Sequence, residues 1–174
     1  MRLFVGVWPP PEVKEVLGSL ARPDAPGVRW TAPDRWHVTL AFMGDVPEEE
    51  QRWWPSVVGV AARAVPAPPD ALLGPATVLL GPAVLCLPVA GLDAAADAVC
   101  SAATALGLAH RLEARPFRGH LTVARAKGRG RIPRRLAGAA LEASWAVDEL
   151  CLVASVPGPG PARYRTLARS PVGR

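Results

Sequence analysis

Two short segments of the chain carry the same pattern of residues that could do acid–base chemistry. The first reads PDRWHVTLA over residues 33–41, and the second reads PFRGHLTVA over residues 116–124. In each, a proline lies four residues before the histidine, a threonine two residues after it and an alanine four residues after it. The chain has only 3 histidines, so two of them in one pattern indicate a duplicated functional element.

Each segment is predicted to be a strand, in which residues two apart share a face. We therefore expect His37 and Thr39 to share one face, and His120 and Thr122 to repeat the arrangement. Because an imidazole has an ordinary pKa of about 6.5, one histidine could take a proton from a nucleophile while the other gives one to a leaving group. Threonine hydroxyls can donate hydrogen bonds to the oxygens of a phosphate held between them. The four side chains predict acid–base chemistry at a phosphate, without a metal.

Other interpretations of these motifs stay open at this point. A single histidine beside a threonine fits an ordinary structural position in a strand, although a matched pair with matching flanks fits it less well. A metal site would need a third ligand, and the nearest carboxylates, Asp34 and Asp45, lie outside the two His-x-Thr triplets. Cys86, Cys100 and Cys151 are too widely spaced for a zinc ribbon and are expected to be buried, reduced thiols. We expect no metal and no cofactor.

The elements that must position the motifs form two similar halves of the chain. Each half is predicted to run strand, helix, strand, strand, and each ends on a motif strand. If the halves pack with approximate two-fold symmetry, the two histidine–threonine pairs face each other across one cleft. A further helix is predicted between the halves, over residues 48–64. The predicted elements of the first half are residues 3–8, 12–21, 28–31 and 37–42, and those of the second half are residues 84–89, 92–106, 111–114 and 120–125.

Composition narrows the class of protein. Half of the 174 residues are hydrophobic, which suits one domain or two small lobes that share a core, and excludes a disordered chain. The charge of +5 favours a phosphorylated or polyanionic partner. The N-terminus lacks a long apolar stretch, and prolines interrupt the most apolar region, about 71–92. We therefore expect no signal peptide, no membrane helix and a cytoplasmic location.

The motifs and their flanks resemble those of the 2H phosphoesterase superfamily. One branch is more similar still: the RNA 2′,3′-cyclic phosphodiesterases of bacteria and archaea, also called 2′-5′ RNA ligases. The resemblance is weak over residues 50–80. Gly119 is one departure, because many relatives have proline directly before the second motif. The segments that carry the resemblance are RLFVGVWPPPEV, VRWTAPDRWHVTLAFMGDV, PFRGHLTVAR and ELCLVASVPGPGPARYRTLA.

This resemblance implies an α+β fold in which duplicated β-α-β-β units form two pseudo-symmetric lobes of a single domain, residues 1–174. Antiparallel sheets would flank a central active-site groove. It implies an enzyme that hydrolyses the terminal 2′,3′-cyclic phosphate of RNA to a 2′-phosphomonoester. By motif position, His37 would be the acid that protonates the departing 3′ oxygen, and His120 the base that activates water. Thr39 and Thr122 would hold the phosphate.

Several other residues are candidates for substrate binding. The family commonly has a basic residue five positions after the second motif histidine, which makes Arg125 a candidate. Strict alternation nevertheless places Arg125 on the opposite face unless the strand twists or ends. Phe42 could stack on a base, and Tyr164 could close over the groove. Arg118 and the basic residues 129–135 could contact an RNA backbone.

RNA 3′ ends or small cyclic nucleotides are the expected partners, with no membrane and a monomeric protein. Two alternatives remain. One is a phosphodiesterase or 2′-5′ ligase that acts on small nucleotides or tRNA halves. The other is a non-catalytic RNA-binding module, which the two intact motifs disfavour. The third histidine, His110, has no threonine two residues later and is expected on the surface.

Overall fold

The computed structural model describes residues 1–156, 158 and 162–173. Its strands are β1 (Arg2–Val7), β2 (Val28–Trp30), β3 (Val38–Asp45), β4 (Asp70–Leu73), β5 (Val78–Leu79), β6 (Val84–Ala90), β7 (His120–Ala126), β8 (Ala143–Ala146), β9 (Glu149–Val156) and β10 (Arg163–Pro171). Its helices are α1 (Pro11–Gly18), α2 (Glu48–Gln51), α3 (Trp54–Ala64) and α4 (Asp93–Ala105).

The strands form two antiparallel groups that meet at the motif strands. The order is β10-β9-β1-β3-β7-β6-β4-β8, with β2 paired to β7 and β5 paired to β6. The first group ends on β3, the second begins on β7, and one residue pair, Val38 with Leu121, joins them. The mixed, mostly antiparallel α+β class predicted from the sequence is confirmed.

The predicted strand–helix–strand–strand order is found in the first half of the chain, as β1, α1, β2 and β3. In the second half, the strand predicted over residues 111–114 is wrong. Arg111 instead ends a short 3-10 turn and donates two hydrogen bonds, of 2.7 and 2.6 Å, to the Glu50 carboxylate. The N–H of Glu113 donates to the carbonyl of Phe42. These contacts fix the segment against β3 and the start of α2, so it does not pair as a strand.

The single helix predicted over residues 48–64 is also wrong, because the segment forms two helices, α2 and α3. Pro55 lies in the first turn of α3 and has no N–H to donate to the carbonyl of Gln51. The chain therefore ends α2 at Gln51 and begins a new helix at Trp54. Short strands β4, β5 and β8 were not predicted, since prolines and glycines surround them.

Strand β1 is buried on both faces and separates the main core from the groove. Leu3, Val5 and Val7 point into the main core, whereas Phe4 belongs to a smaller cluster with Cys151 and Val153. This division follows from the alternation of side chains along a strand. The groove face of the first lobe is therefore lined with aromatic and apolar groups.

The helices cover the opposite side of the sheet and cross between the two halves. α3 packs on β9, β10 and α4, while α4 also packs on β3, and α1 contacts β8. α1 thus contacts a strand of the C-terminal half of the chain, and α4 contacts a strand of the N-terminal half, so the two halves pack against each other. The longest described helix, α4, has 13 residues. Within the part of the chain that the structure describes, no helix has the length and apolar character needed to cross a membrane.

Candidate active site

The two motifs meet at the junction of β3 and β7. Val38 lies directly opposite Leu121 in an antiparallel pair, and both are fully buried. Continuing this register by one residue each way places His37 beside Thr122 and Thr39 beside His120. The junction therefore has a local two-fold axis, and it brings together the four side chains that the sequence pattern selected.

Two cavities open at this junction, and each takes one histidine and one threonine. His37 and Thr122 line a cavity of about 280 Å³. Thr39 and His120 line a second cavity of about 650 Å³. All four side chains are partly exposed, so solvent and a ligand can reach them. A phosphate at the junction would have an imidazole and a hydroxyl on each side.

Both imidazoles are held in the same way. The Nδ1 atom of His37 lies 2.7 Å from the carbonyl oxygen of Arg35, and that of His120 lies 2.7 Å from the carbonyl oxygen of Arg118. Because a carbonyl only accepts, Nδ1 carries the proton and donates it in both rings. Nε2 is then the atom free to accept or give a proton. The sequence did not show this contact, since any residue at that position supplies a carbonyl.

Aromatic rings surround His37. The centroid of its ring lies 4.8 Å from that of Phe4, 5.0 Å from that of Tyr164 and 5.5 Å from that of Trp8. Tyr164 thus lies against the site as expected, although the Pro-Gly-rich loop before it falls largely outside the described residues. The contributions of Phe4 and Trp8 were not predicted. Phe4 lies in β1 and Trp8 follows directly after it. Their spacing of four residues, in a run of strand-forming residues, is the signal that places both on the groove face.

This environment makes His37 a weak base in the free protein. Burial lowers the pKa of His37 to about 4, opposed by the hydrogen bond to Arg35, while the positive charges of Arg125 and His120 lower the pKa further. The imidazole of His37 is consequently neutral at pH 7.

Two β-bulges determine which side chains after each motif face the groove. Leu40 is skipped in the pairing of β3 with β1, and Val123 is skipped in the pairing of β7 with β6. Each lies three residues after its histidine, and both are buried. A bulge shifts the alternation by one residue, so the residues five positions after the histidines, Phe42 and Arg125, return to the groove side. The opposite face expected from strict alternation is therefore wrong for Arg125, which lines the cavity of His37 and Thr122.

The position five residues after the histidine is Phe42 in one motif strand and Arg125 in the other, so the two ends of the groove differ in chemical character. Phe42 lines the cavity of Thr39 and His120, and the guanidinium of Arg2 lies 5.5 Å from its ring. Arg125 occupies the other end. Arg118 lines the Phe42 end, whereas residues 129–135, all of them described, lie outside the lining of both cavities.

His110 and the three cysteines are the remaining candidates. His110 is exposed, as expected, with its Nε2 atom 3.6 Å from the Glu50 carboxylate. Cys86 and Cys151 are buried thiols, but Cys100 is exposed, which corrects the expectation for that residue. Among the described residues, no three histidine, cysteine, aspartate or glutamate side chains come together as a metal site would require.

Comparisons with known proteins identify the family. Residues 4–69 match the family described as LigT like Phosphoesterase. The structure of TT0787 of Thermus thermophilus is 27% identical, with a TM-score of 0.83. Escherichia coli LigT is 30% identical in its complexes with NADP+ and with 3′-AMP, with TM-scores of 0.72 and 0.73. Each comparison covers 99% of this chain and 98% of the other.

No curated protein matches this chain by sequence. The identity with E. coli LigT nevertheless extends over almost the whole of both chains, and the matched fold places the two motif strands side by side. The chain belongs to the LigT-like phosphoesterase family of the 2H phosphoesterase superfamily.

Proposed function

We propose that this protein hydrolyses the terminal 2′,3′-cyclic phosphate of RNA to a 2′-phosphomonoester, without a metal. The strongest support is the symmetric pair of imidazoles at the junction of β3 and β7. In each, Nδ1 is hydrogen-bonded to a backbone carbonyl, which leaves Nε2 available for proton transfer. The site takes one histidine and one threonine from each lobe, so the proposed activity needs both lobes of a single domain.

In the proposed step, a water oxygen forms a bond to phosphorus and the bond from phosphorus to O3′ breaks. His120 accepts the proton of the water at Nε2, and His37 gives its Nε2 proton to O3′. Thr39 and Thr122 donate hydrogen bonds to the non-bridging oxygens, where negative charge develops. The phosphate stays on O2′. After the product leaves, His120 gives its proton to solvent, and His37 takes one up from solvent when the next substrate binds.

The assignment of His37 as the acid requires its proton, although His37 is neutral in the free protein at pH 7. A bound phosphate supplies the negative charge that raises the pKa of His37 again. Substrate binding and protonation of His37 are therefore linked, and the acid is formed only in the occupied site. Arg125 lines the same cavity, and its positive charge favours an anionic ligand there.

This linkage predicts that anion binding becomes tighter as the pH falls. In the His120→Gln variant, where His37 is the only motif imidazole left, the affinity for sulfate should rise between pH 7 and pH 5, by up to about tenfold per pH unit. The sign follows because the bound state takes up a proton that the free state, with its pKa of about 4, does not hold. Isothermal titration calorimetry in two buffers of different ionisation enthalpy measures the affinity and the proton uptake together.

Sulfate does not titrate in this range, so the change reports the protein. The double variant His37→Gln, His120→Gln serves as the control and should bind sulfate with little dependence on pH. An affinity that stays flat from pH 7 to pH 5 in the single variant would contradict the proposed link between the anion and His37.

The activity is tested with an RNA oligonucleotide that ends in a 2′,3′-cyclic phosphate, incubated with the protein in excess EDTA. We expect complete conversion to a product with a 2′-phosphate, identified by ³¹P NMR. The wild-type rate should be the same with and without EDTA. A 3′-phosphate product would show cleavage of the other ester bond, and an EDTA-sensitive rate would show a metal; either result would overturn this proposal.

A second candidate is an enzyme that acts on small nucleotides. It is favoured by the complexes of E. coli LigT with 3′-AMP and with NADP+, which show a mononucleotide and a dinucleotide cofactor bound to a relative. Comparing kcat/KM for 2′,3′-cyclic AMP and for the oligonucleotide separates the two. Ligation would replace the attacking water by a 5′-hydroxyl, and it is detected as a longer, 2′-5′-linked product when 5′-hydroxyl RNA is added.

A further inference from the structure

The cavity of His37 and Thr122 is strongly cationic. Its lining includes Arg29, Arg35 and Lys127 as well as Arg125, and no acidic residue of the described chain lines it. None of these four side chains forms an ion pair within the described residues. Four basic groups therefore surround one cavity of about 280 Å³ without a protein partner for their charge.

The arrangement of two of these cations is unfavourable in the absence of a ligand. Arg29 of β2 lies directly opposite Arg125 of β7, so the two side chains share a face, and like charges in that position destabilise a strand pair. Both are exposed, and solvent reduces the repulsion without removing it. An anion between the two guanidinium groups would convert the repulsion into two charge-assisted contacts.

A backbone hydrogen bond places Lys127 beside this pair of arginines. The N–H of Lys127 donates to the carbonyl of Gly27 at 2.7 Å. Gly27 directly precedes β2, so the lysine lies at the same rim of the cavity as Arg29. The cluster is displaced from the motif threonine. Arg125 lies three residues beyond Thr122 on β7, with the bulged residue Val123 between them, so the two are roughly 7 Å apart along the strand, comparable with the spacing of successive phosphates in a nucleic-acid strand.

The other end of the groove has a different charge. The cavity of Thr39 and His120 is lined by two acidic residues, Asp97 and Glu113, besides its arginines. Arg115 there is already paired with Glu113 at 3.2 Å. A polyanion that leaves the junction towards Arg125 therefore meets four basic residues and no carboxylate in the cavity lining. Towards Phe42 it meets two carboxylates, and among the described lining residues Arg118 is the one cation without an ion pair.

We infer that Arg29, Arg125 and Lys127 form a second phosphate subsite, which binds the phosphodiester on the 5′ side of the terminal nucleotide of RNA. This inference rests on the proposed function, because it takes the cyclic phosphate to lie between the two motifs. It names the substrate class more narrowly: an RNA 3′ end, with at least one internucleotide phosphate, is preferred over a cyclic mononucleoside phosphate. The Phe42 end of the groove then faces away from the RNA chain.

The test compares kcat/KM for a dinucleotide that ends in a 2′,3′-cyclic phosphate with kcat/KM for 2′,3′-cyclic AMP. Wild type should prefer the dinucleotide by roughly tenfold or more. The Arg29→Ala and Lys127→Ala variants should each lose most of that preference through a higher KM for the dinucleotide, and change the mononucleotide much less. Each should also lower the slope of log KM against log salt by about 0.7. Arg63→Ala, on the exposed side of α3, is the charge-matched control and should change neither substrate.

Equal losses for both substrates in Arg29→Ala would overturn the inference, since they would place Arg29 at the scissile phosphate or in the fold. A wild-type protein without preference for the dinucleotide would overturn it as well. If the protein hydrolyses neither substrate, the proposed function fails, and the subsite is tested separately by binding. The fluorescence polarisation of a labelled RNA dinucleotide 3′-phosphate should then still depend on Arg29, and an unchanged Kd in Arg29→Ala would overturn the subsite too.

Discussion

Replacing either motif histidine by glutamine is expected to lower kcat for a 2′,3′-cyclic phosphate by a factor of about 10²–10⁴ while the fold is kept. Glutamine is similar in size and can still bond to the carbonyl that holds Nδ1, but it cannot carry a proton to or from the reacting atoms. Both His37 and His120 are partly exposed, and neither belongs to the main hydrophobic core. Steady-state kinetics and thermal unfolding of each variant measure the two effects separately.

The third histidine provides the matched control for these variants. His110→Gln removes an exposed imidazole near Glu50 that lines neither cavity, and it should leave kcat within about twofold. If His37→Gln or His120→Gln instead melts well below wild type, or retains wild-type turnover, the histidines are structural strand residues and the acid–base assignment is wrong.

Gly119→Ala is expected to destabilise the protein by about 2–4 kcal/mol and to reduce turnover. A Cβ on Gly119 would lie 2.0 Å from the carbonyl oxygen of Val89 and 3.3 Å from the ring of Phe117. Val89 also donates its N–H to the carbonyl of Gly119, so the two backbones cannot separate without loss of a hydrogen bond. Because His120 is the next residue, relief of the clash would move the imidazole.

Urea unfolding and kcat of the same variant test this prediction. Gly18→Ala is the control, because a Cβ at Gly18 meets nothing within 4 Å, and it should be neutral or slightly stabilising. A Gly119→Ala protein as stable and as active as Gly18→Ala would show that the backbone approach at β6 is looser than the structure has it. The same clash applies to any residue with a Cβ, which explains why the proline expected from the family's pattern does not fit at this position.

The sequence was sufficient to select the four central side chains. Strict period-2 alternation after each histidine predicted the faces of His37, Thr39, His120 and Thr122, and the repeat predicted that the two pairs meet. The register of Val38 with Leu121 shows how they meet. No pattern in the sequence specified that single residue pair, since it depends on which strands of the two halves become neighbours.

The sequence was not sufficient for the residues around these four. A bulge adds one residue to a strand, and its only sign in the sequence is weak: two successive hydrophobic residues, which both become buried. Leu40-Ala41 and Val123-Ala124 are the two examples here. The opposite face predicted for Arg125 by alternation is wrong for that reason. The pKa of His37 depends on Phe4, Trp8 and other groups from distant strands, so it follows from tertiary packing alone. The strand predicted over residues 111–114 failed because a long-range pair with Glu50 outweighed local propensity.

The most direct measurement is the pH dependence of kcat, for wild type and for the two histidine variants, with one RNA substrate. Wild type should give a bell-shaped profile, because one imidazole must be neutral and the other protonated in the occupied site. In His120→Gln, kcat should no longer fall at low pH, and in His37→Gln, kcat should no longer fall at high pH. If each variant instead loses the opposite limb of the profile, the two histidines still form the acid–base pair but with reversed roles. A flat wild-type profile, or a bell that survives in both variants, would contradict catalysis by the two histidines.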